Sequence, residues 1–296
     1  MDALIIILTG SLVAVSCALL GSFLILRKMA MVSDAISHAV LPGIVIAYMV
    51  MGADQTIWML VGAGILGVIT TFLIEFFHQK GKLQSDASIG VTFTWLFAIG
   101  VILVTFYAGD AHIDQDCILY GEIAYVPLDL IYLADGSILG PRALIIMSIV
   151  LVLVIIFITT GYKELFITTF DPAYAQSTGY AVSTWHYLLM SMVSITTVAA
   201  FESVGAILVV AFLIVPAAAA YLITQKLHHL LLLSSFFGVL TSIFGYYLAY
   251  SIDGSIAGAM ATVAGIIFGL VFAFHRFQVK ARTKSSELAF EKHGNS

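Results

Sequence analysis

Asp34 and His38 are the two residues in an apolar stretch whose types and spacing best suit chemistry; they lie in the sequence MVSDAISHAVLP at positions 31–42. A spacing of four residues puts both side chains on one face of a helix, about one turn apart. A carboxylate and an imidazole placed in this way can bind one divalent first-row metal ion together. The alternative is that Asp34 caps the helix or balances Arg27 and Lys28, with His38 packed against a carbonyl group.

Two further ionisable residues border apolar segments, and each has a functional and an ordinary interpretation. His186, in STWHYLLM at 183–190, is a weaker candidate for a third metal ligand or for a relay of the departing ion. The alternative for His186 is an interfacial histidine beside Trp185 and Tyr187. Glu202 is a weaker candidate still, either for accepting a cation at the entrance or for capping the following helix.

A polar segment at 109–122, GDAHIDQDCILYGE, concentrates acidic and histidine side chains. Alternating Asp and His suits a surface that binds a dication. A docking site for an external donor protein and a simple solvated loop are the other two interpretations, and either of these is preferred to a metal site. The candidate residues are Asp110, His112, Asp114 and Asp116.

A second long connection, at about 161–181, has the pattern of a short surface helix. Asp171 is suited to the N-cap, Pro172 to the first helical position and Gly179 to the end of the helix. A helix lying across the face of a membrane protein is a natural contact for a partner chain. The pattern alone predicts only the helix.

The composition predicts the setting of these residues. Of the 296 residues 61% are hydrophobic and 10% are charged, with a mean hydropathy of +1.08. Soluble domains carry about a quarter charged residues to cover their cores. A soluble enzyme, a nucleic-acid-binding protein and a disordered protein are therefore disfavoured, and the sequence predicts a polytopic membrane protein.

About nine apolar segments have the length of a membrane-spanning helix, which is roughly 20 residues. Glu202, between the sixth and seventh segments, suggests a tight turn or a re-entrant pair rather than two ordinary full spans. The predicted spans lie at 3–26, 35–51, 57–77, 88–107, 142–160, 184–201, 204–223, 230–250 and 255–274.

The distribution of basic residues predicts an orientation. With an external N-terminus and nine crossings, eleven of the twelve basic residues fall on the inner side and only Arg142 falls outside. This agrees with the preference of Lys and Arg for cytoplasmic loops. We therefore expect a transmembrane domain over 1–277 and a polar, basic cytoplasmic tail over 278–296, where the basic residues can contact anionic lipid.

The energy source is predicted to lie outside this chain if transport is ATP-driven. No GxxxxGK[ST] motif occurs in the sequence. An ion gradient or a separate ATPase chain remains as the source of energy.

Taken together, the motifs resemble the integral-membrane permease of the manganese/zinc/iron class of bacterial ABC importers. The resemblance extends over about residues 5 to 275 and excludes the tail. Its motifs are LRKMAMVSDAISHAVLPG at 26–43, SDASIGV at 85–91, TTFDPAYAQSTG at 168–179, WHYLLM at 185–190 and SVGAILVVAFLIVPAAAAY at 203–221.

The resemblance implies an all-α permease of about nine transmembrane helices in the bacterial cytoplasmic (inner) membrane. It implies a transport subunit, not an enzyme, that works as a homodimer or heterodimer with a cytoplasmic ABC ATPase and an extracytoplasmic metal-binding lipoprotein or periplasmic protein. No permanent cofactor and no nucleic acid are expected; Mn, Zn or Fe would be the cargo.

By the same resemblance, Asp34 and His38 line the path of the passing metal. The residues Asp171, Pro172, Ala173, Tyr174 and Gly179 belong to the coupling helix that contacts the ATPase. Related chains commonly carry a neutral residue at the position of Glu202, so a metal role there is not supported. The alternatives are a permease for a metal chelate such as a siderophore or cobalamin, and a gradient-driven cation transporter with Asp34 or Glu202 as its proton site.

Overall fold

The protein, described here from a computed structural model, is predominantly helical. The structure describes residues 2–51, 56–107, 123–132 and 138–294. The helices are α1 (Asp2–Leu26), α2 (Val32–Ala39), α3 (Leu41–Met51), α4 (Thr56–Gln79), α5 (Ser85–Tyr107), α6 (Arg142–Thr160), α7 (Tyr162–Phe170), α8 (Pro172–Ser177), α9 (Val182–Val204), α10 (Ala206–Ile223), α11 (Leu227–Ile252) and α12 (Ile256–Gly294).

Nine helical segments in the described ranges are long and apolar enough to cross a membrane. Their bounds agree with the predicted spans to within a few residues, so the expected all-α membrane fold is confirmed. The orientation of the termini stays a prediction. The segments are Asp2–Leu26, Val32–Val50, Val61–His78, Ser85–Phe106, Arg142–Thr160, Val182–Phe201, Ala206–Ile223, Leu227–Ile252 and Ile256–Phe277.

The second span is divided into α2 and α3 by a turn at Val40. Pro42 supplies the physical reason, because proline has no N–H to donate to the carbonyl of the residue four positions earlier, which is His38. The interruption therefore falls directly after the candidate metal ligands and ends the helix that carries them.

The sixth and seventh spans, α9 and α10, are separated by a single residue, Gly205. Its backbone angles of φ 79° and ψ 163° lie in a region that only glycine occupies without strain. The tight turn is present as predicted. Each helix is nevertheless long and apolar enough to cross a membrane by itself, so the expectation that this pair is not two full spans is wrong.

The helices pack in two groups that α9 connects. In one group α1 lies at the centre of the core and contacts α6, α10 and α11, while α12 packs against α10 and α11. In the other group α2, α3, α4 and α5 contact one another. Helix α9 contacts α1 and α6 in the first group and α2 and α4 in the second, so it is the main bridge between them.

Glycines allow close approach of helices within both groups. A Cβ atom at Gly21 of α1 would overlap the backbone carbonyl of Leu213 in α10. In the second group, Gly43 of α3 and Gly62 of α4 face each other, and a Cβ built on either would lie 2.5–2.6 Å from the carbonyl oxygen of the other. Such small residues are typical of helix contacts in membranes.

Two features were not predicted from the sequence. A short antiparallel pair, β1 (Leu130–Tyr132) and β2 (Ile138–Pro141), precedes α6, with Ile131 opposite Gly140. In addition, α12 continues past the expected end of the transmembrane domain at residue 277, so that the backbone of the predicted tail is helical up to Gly294.

Candidate functional site

Asp34 and His38 lie together on α2, as their spacing predicts. The Nε2 atom of His38 is 3.6 Å from Oδ1 of Asp34. Helix α2 begins after Met31 with no side chain capping it, so capping is not the role of Asp34. The two side chains present one carboxylate and one imidazole to the same space.

The surroundings of this pair are aromatic and open on one side. The His38 ring lies 5.8 Å from the ring of Phe97 in an edge-to-face arrangement and 6.0 Å from that of Phe93, both on α5. The side chain of Asp34 is 42% exposed and that of His38 is 35% exposed. Packing against α5 thus orients the imidazole, and this chain leaves the remainder of both side chains uncovered.

His186 does not join this pair. Within the described ranges, no three His, Cys, Asp or Glu side chains form a group that could hold a metal ion. The partner of His186 is Glu75 of α4, whose Oε2 atom is 3.0 Å from Nε2 of the histidine. On the other side of the ring, Nη1 of Arg27 is 3.3 Å from Nδ1.

These contacts determine the tautomer of His186. A guanidinium group only donates hydrogen bonds, so Nδ1 accepts from Arg27. A neutral ring would then carry its proton on Nε2, which faces Oε2 of Glu75 at 3.0 Å. Both ring nitrogens are occupied, and binding of a metal by His186 would require one of these contacts to break.

Arg27 also reaches α7. Its Nε atom donates to Oγ1 of Thr169 and its Nη2 atom donates to Oγ1 of Thr168, each at 3.1 Å. Burial lowers the pKa of Arg27 to about 10, against the opposing effect of the negative charge on Glu75. The guanidinium therefore stays protonated at neutral pH and is shared among three neighbours.

Sequence reasoning missed this cluster of Arg27, Glu75, His186, Thr168 and Thr169, which we call the arginine cluster. One signal was present: Glu75 is the single charged residue in the apolar segment at 57–77. Its side chain is only 9% exposed. A buried carboxylate in a span is expensive unless it is paired, which should have directed attention to a basic partner.

The predicted surface helix is present as α8, with the expected ends. Oδ1 of Asp171 accepts a hydrogen bond of 2.9 Å from the Tyr174 backbone N–H, and Pro172 is the first helical residue. Gly179 has a φ of +88°, which reverses the chain after the helix. Asp171, Pro172, Ala173, Tyr174 and Gly179 are all exposed, whereas Ala175 is buried against the protein.

An aromatic patch continues this exposed surface onto α7. Phe166 and Phe170 lie one helical turn apart, with ring centroids at 4.8 Å, and both are exposed together with Tyr174. Exposed apolar side chains clustered beside a short surface helix make this surface a candidate interaction site.

The remaining predicted site residues are not positioned by the structure. Asp110, His112, Asp114 and Asp116 lie outside the described residues. The backbone of Glu202 belongs to α9, but its side chain is likewise outside the described part. The cap residue of α10 is Gly205, and both interpretations of Glu202 stay predictions.

Comparison with known proteins identifies the family. The sequence model described as "ABC 3 transport family" matches residues 3–275. This chain belongs to that family. The manganese transport system membrane protein MntD of Bacillus subtilis is 49% identical over 269 residues, covering 91% of this chain and 90% of that protein. The zinc transport system membrane protein TroD of Treponema pallidum is 45% identical, covering 91% and 73%.

Solved structures agree with the assignment. PsaBC from Streptococcus pneumoniae, solved in complex with a Fab, has a TM-score of 0.73 and 31% identity, with 90% of each chain covered. An inward-facing metal-chelate type ABC transporter has a TM-score of 0.66 at 16% identity, with 91% of this chain and 85% of that chain covered, and shows the shared fold.

Family membership confirms several expectations at once. The chain is the permease subunit of an ABC importer, which is a transport component and not an enzyme, and it is a multi-pass protein of the bacterial cytoplasmic membrane. A permease of this kind works with an ATPase and a substrate-binding partner.

Proposed function

We propose that this chain carries divalent transition-metal ions, of the Mn, Zn or Fe class, across the cytoplasmic membrane in an ATP-driven importer. The observation that carries the proposal is the Asp34–His38 pair, whose Oδ1 and Nε2 atoms lie 3.6 Å apart on a partly exposed face of the second span. Charged groups within spans are costly and mark ion pathways.

Two protein ligands suit a transport site better than a storage site. A site on a translocation path must bind the ion well enough to receive it and weakly enough to release it. A carboxylate and an imidazole satisfy part of the coordination of Mn²⁺, Fe²⁺ or Zn²⁺, and water or a second permease copy would supply the rest. The cargo is thus bound in passing, with no metal retained as a cofactor.

The names of the relatives support the cargo class. MntD is named for manganese and TroD for zinc. A metal chelate is the second candidate, since the related protein YfeC of Yersinia pestis, 31% identical over 265 residues, is named as a chelated iron transport membrane protein. The charged pair favours the bare ion, because it offers direct ligands that a chelated ion does not need.

The energy of transport would enter through α8. The exposed residues from Asp171 to Tyr174, with the aromatic patch of Phe166 and Phe170, fit a cytoplasmic ATPase. An external binding protein would deliver the ion to the opposite face, where the segment at 109–122 is the proposed docking site. This arrangement requires the external N-terminus predicted from the basic residues.

The permease would act as a dimer, either of two identical copies or with a related permease. Co-purification of two differently tagged copies of this chain distinguishes these cases. Basic residues after 277 would contact anionic lipid on the cytoplasmic side.

The test is uptake of Mn²⁺, Zn²⁺ and Fe²⁺ into proteoliposomes that contain the permease, its ATPase and the binding protein. We expect Asp34→Asn and His38→Gln, which keep side-chain volume, to reduce uptake to the level measured without ATP. The reason is that each removes one of the two ligands that the described part of this chain offers at the site.

Asp253→Asn and His275→Gln are the matched controls, since Asp253 lies in the turn before α12 and His275 near the end of the last span. Both controls should transport at the wild-type rate. Wild-type uptake in the Asp34 and His38 variants would remove these residues from the pathway. Uptake that is supported only by a chelate, or only by an ion gradient without ATP, would instead establish one of the two alternatives.

A further inference from the structure

The arginine cluster joins the segment that leads into α8 to the helices of the bundle. Thr168 and Thr169, which accept hydrogen bonds from Arg27, precede Asp171, the N-cap of α8, by three and two residues. Arg27 therefore holds the end of α7 at the point where the chain turns into the exposed helix. A displacement of α8 that carries the end of α7 with it would therefore act on this contact.

The other side of the cluster lies on the helices that surround the candidate metal site. His186 is in the first turns of α9, and Glu75 is in the last turn of α4. Both α4 and α9 pack against α2, which carries Asp34 and His38. The cluster is thus a continuous chain of polar contacts from the end of α7, through Arg27 and His186, to Glu75.

We propose that Arg27 is a positioning residue that transmits movement of the α7–α8 segment, through His186 and Glu75, to α9 and α4 and hence to the metal path. This inference rests on the proposed ATP-driven transport. It assigns to the arginine cluster the coupling between ATP hydrolysis and movement of the ion.

The physical argument is the cost of separating the partners. The planar guanidinium makes its contacts in a fixed geometry, so it holds three neighbours in one arrangement. Moving α7 without α9 would leave the partly buried Arg27 guanidinium without its two hydroxyl acceptors or without His186, which is unfavourable for a charged donor. The elements are therefore expected to move together between two well-paired arrangements.

The test variant is Thr168→Val with Thr169→Val, which removes both hydroxyl acceptors of Arg27 on α7 and keeps the side-chain shape. The measurement is the number of metal ions imported per ATP hydrolysed by the reconstituted complex, together with stimulation of ATP hydrolysis by the metal-loaded binding protein. We expect the ratio to fall about tenfold, the scale of losing hydrogen bonds to a charged group, while basal hydrolysis stays within about twofold.

The matched control is Thr159→Val with Thr160→Val. These adjacent threonines at the end of α6 are exposed and donate to carbonyls of their own helix. The variant Arg27→Gln, which removes the charge of the cluster, should lower the ratio of imported ions to hydrolysed ATP in the same way. Its control is Lys28→Gln, at the neighbouring exposed basic residue, which should leave this ratio unchanged.

The experiment separates failure of the coupling role of Arg27 from failure of the proposed transport function. If the wild-type complex imports no metal with ATP, the proposed function is wrong. If the wild type imports metal and the Thr168/Thr169 variant keeps the wild-type ratio of ions to ATP, the coupling role is refuted, whatever the yield of complex. A merely structural role would lower the amount of complex and leave that ratio unchanged.

Discussion

Exposure of the apolar ring of Tyr174 to water is unfavourable unless a partner protein covers it. Its side chain is 57% exposed on α8, next to the exposed rings of Phe166 and Phe170 on α7. Aromatic side chains at the centre of an interface commonly contribute about 2 kcal/mol or more to binding. At the residue scale, this is the position where contact with the ATPase is expected to be concentrated.

We therefore expect Tyr174→Ala to weaken association with the ATPase by about 2 kcal/mol, close to thirtyfold in affinity. Co-purification and titration of the ATPase onto the detergent-solubilised permease measure this. Tyr250→Ala is the control, because Tyr250 is 79% exposed near the far end of α11. Equal affinity for the Tyr174 variant and wild type would place the ATPase elsewhere.

Close packing of α1 against α10 depends on the absence of a side chain at Gly21. The atoms that a Cβ would meet there belong to the Leu213 backbone, which cannot rotate away as a side chain would. Because α1 lies at the centre of the first helix group, a shift at this contact affects α6 and α11 as well. At the scale of secondary-structure elements, this contact therefore affects how whole helices pack.

For Gly21→Ala we expect a loss of about 1–3 kcal/mol of stability, the usual cost of overpacking. Thermal unfolding of the permease in detergent provides the measurement. Gly265→Ala, in α12, is the matched control, since a Cβ there would meet open space. A similar melting temperature for both variants would show that α1 and α10 can move apart to accommodate the Cβ atom without loss of stability.

At the scale of the whole molecule, the orientation of the helix bundle determines on which side of the membrane each turn lies. With the N-terminus outside, the turn at Lys226 is cytoplasmic and the turn at Asp253 is external. After Cys17→Ala and Cys117→Ser remove the native thiols, Asp253→Cys should react with a membrane-impermeant maleimide in intact cells. Lys226→Cys should react only after the membrane is opened, and the reverse pattern would invert the topology.

The spans could be predicted closely because the hydrocarbon layer imposes both the length and the apolar composition of each helix. The contact of Asp34 with His38 could also be predicted, since it depends only on the helical repeat. The contacts of Arg27 with His186 and of His186 with Glu75 could not. They join residues 159 and 111 positions apart, and packing of separate helices has no signature in a single sequence.

The one-residue link at Gly205 has a consequence for biosynthesis. Helices α9 and α10 follow each other with no hydrophilic loop between them, so we expect them to enter the membrane together as one hairpin. With the external N-terminus predicted from the basic residues, Glu202, three residues before the link, would have to cross the bilayer with almost no polar chain to accompany it. The combined hydrophobicity of the two helices would then compensate for the charge, and neither helix would be expected to insert without the other.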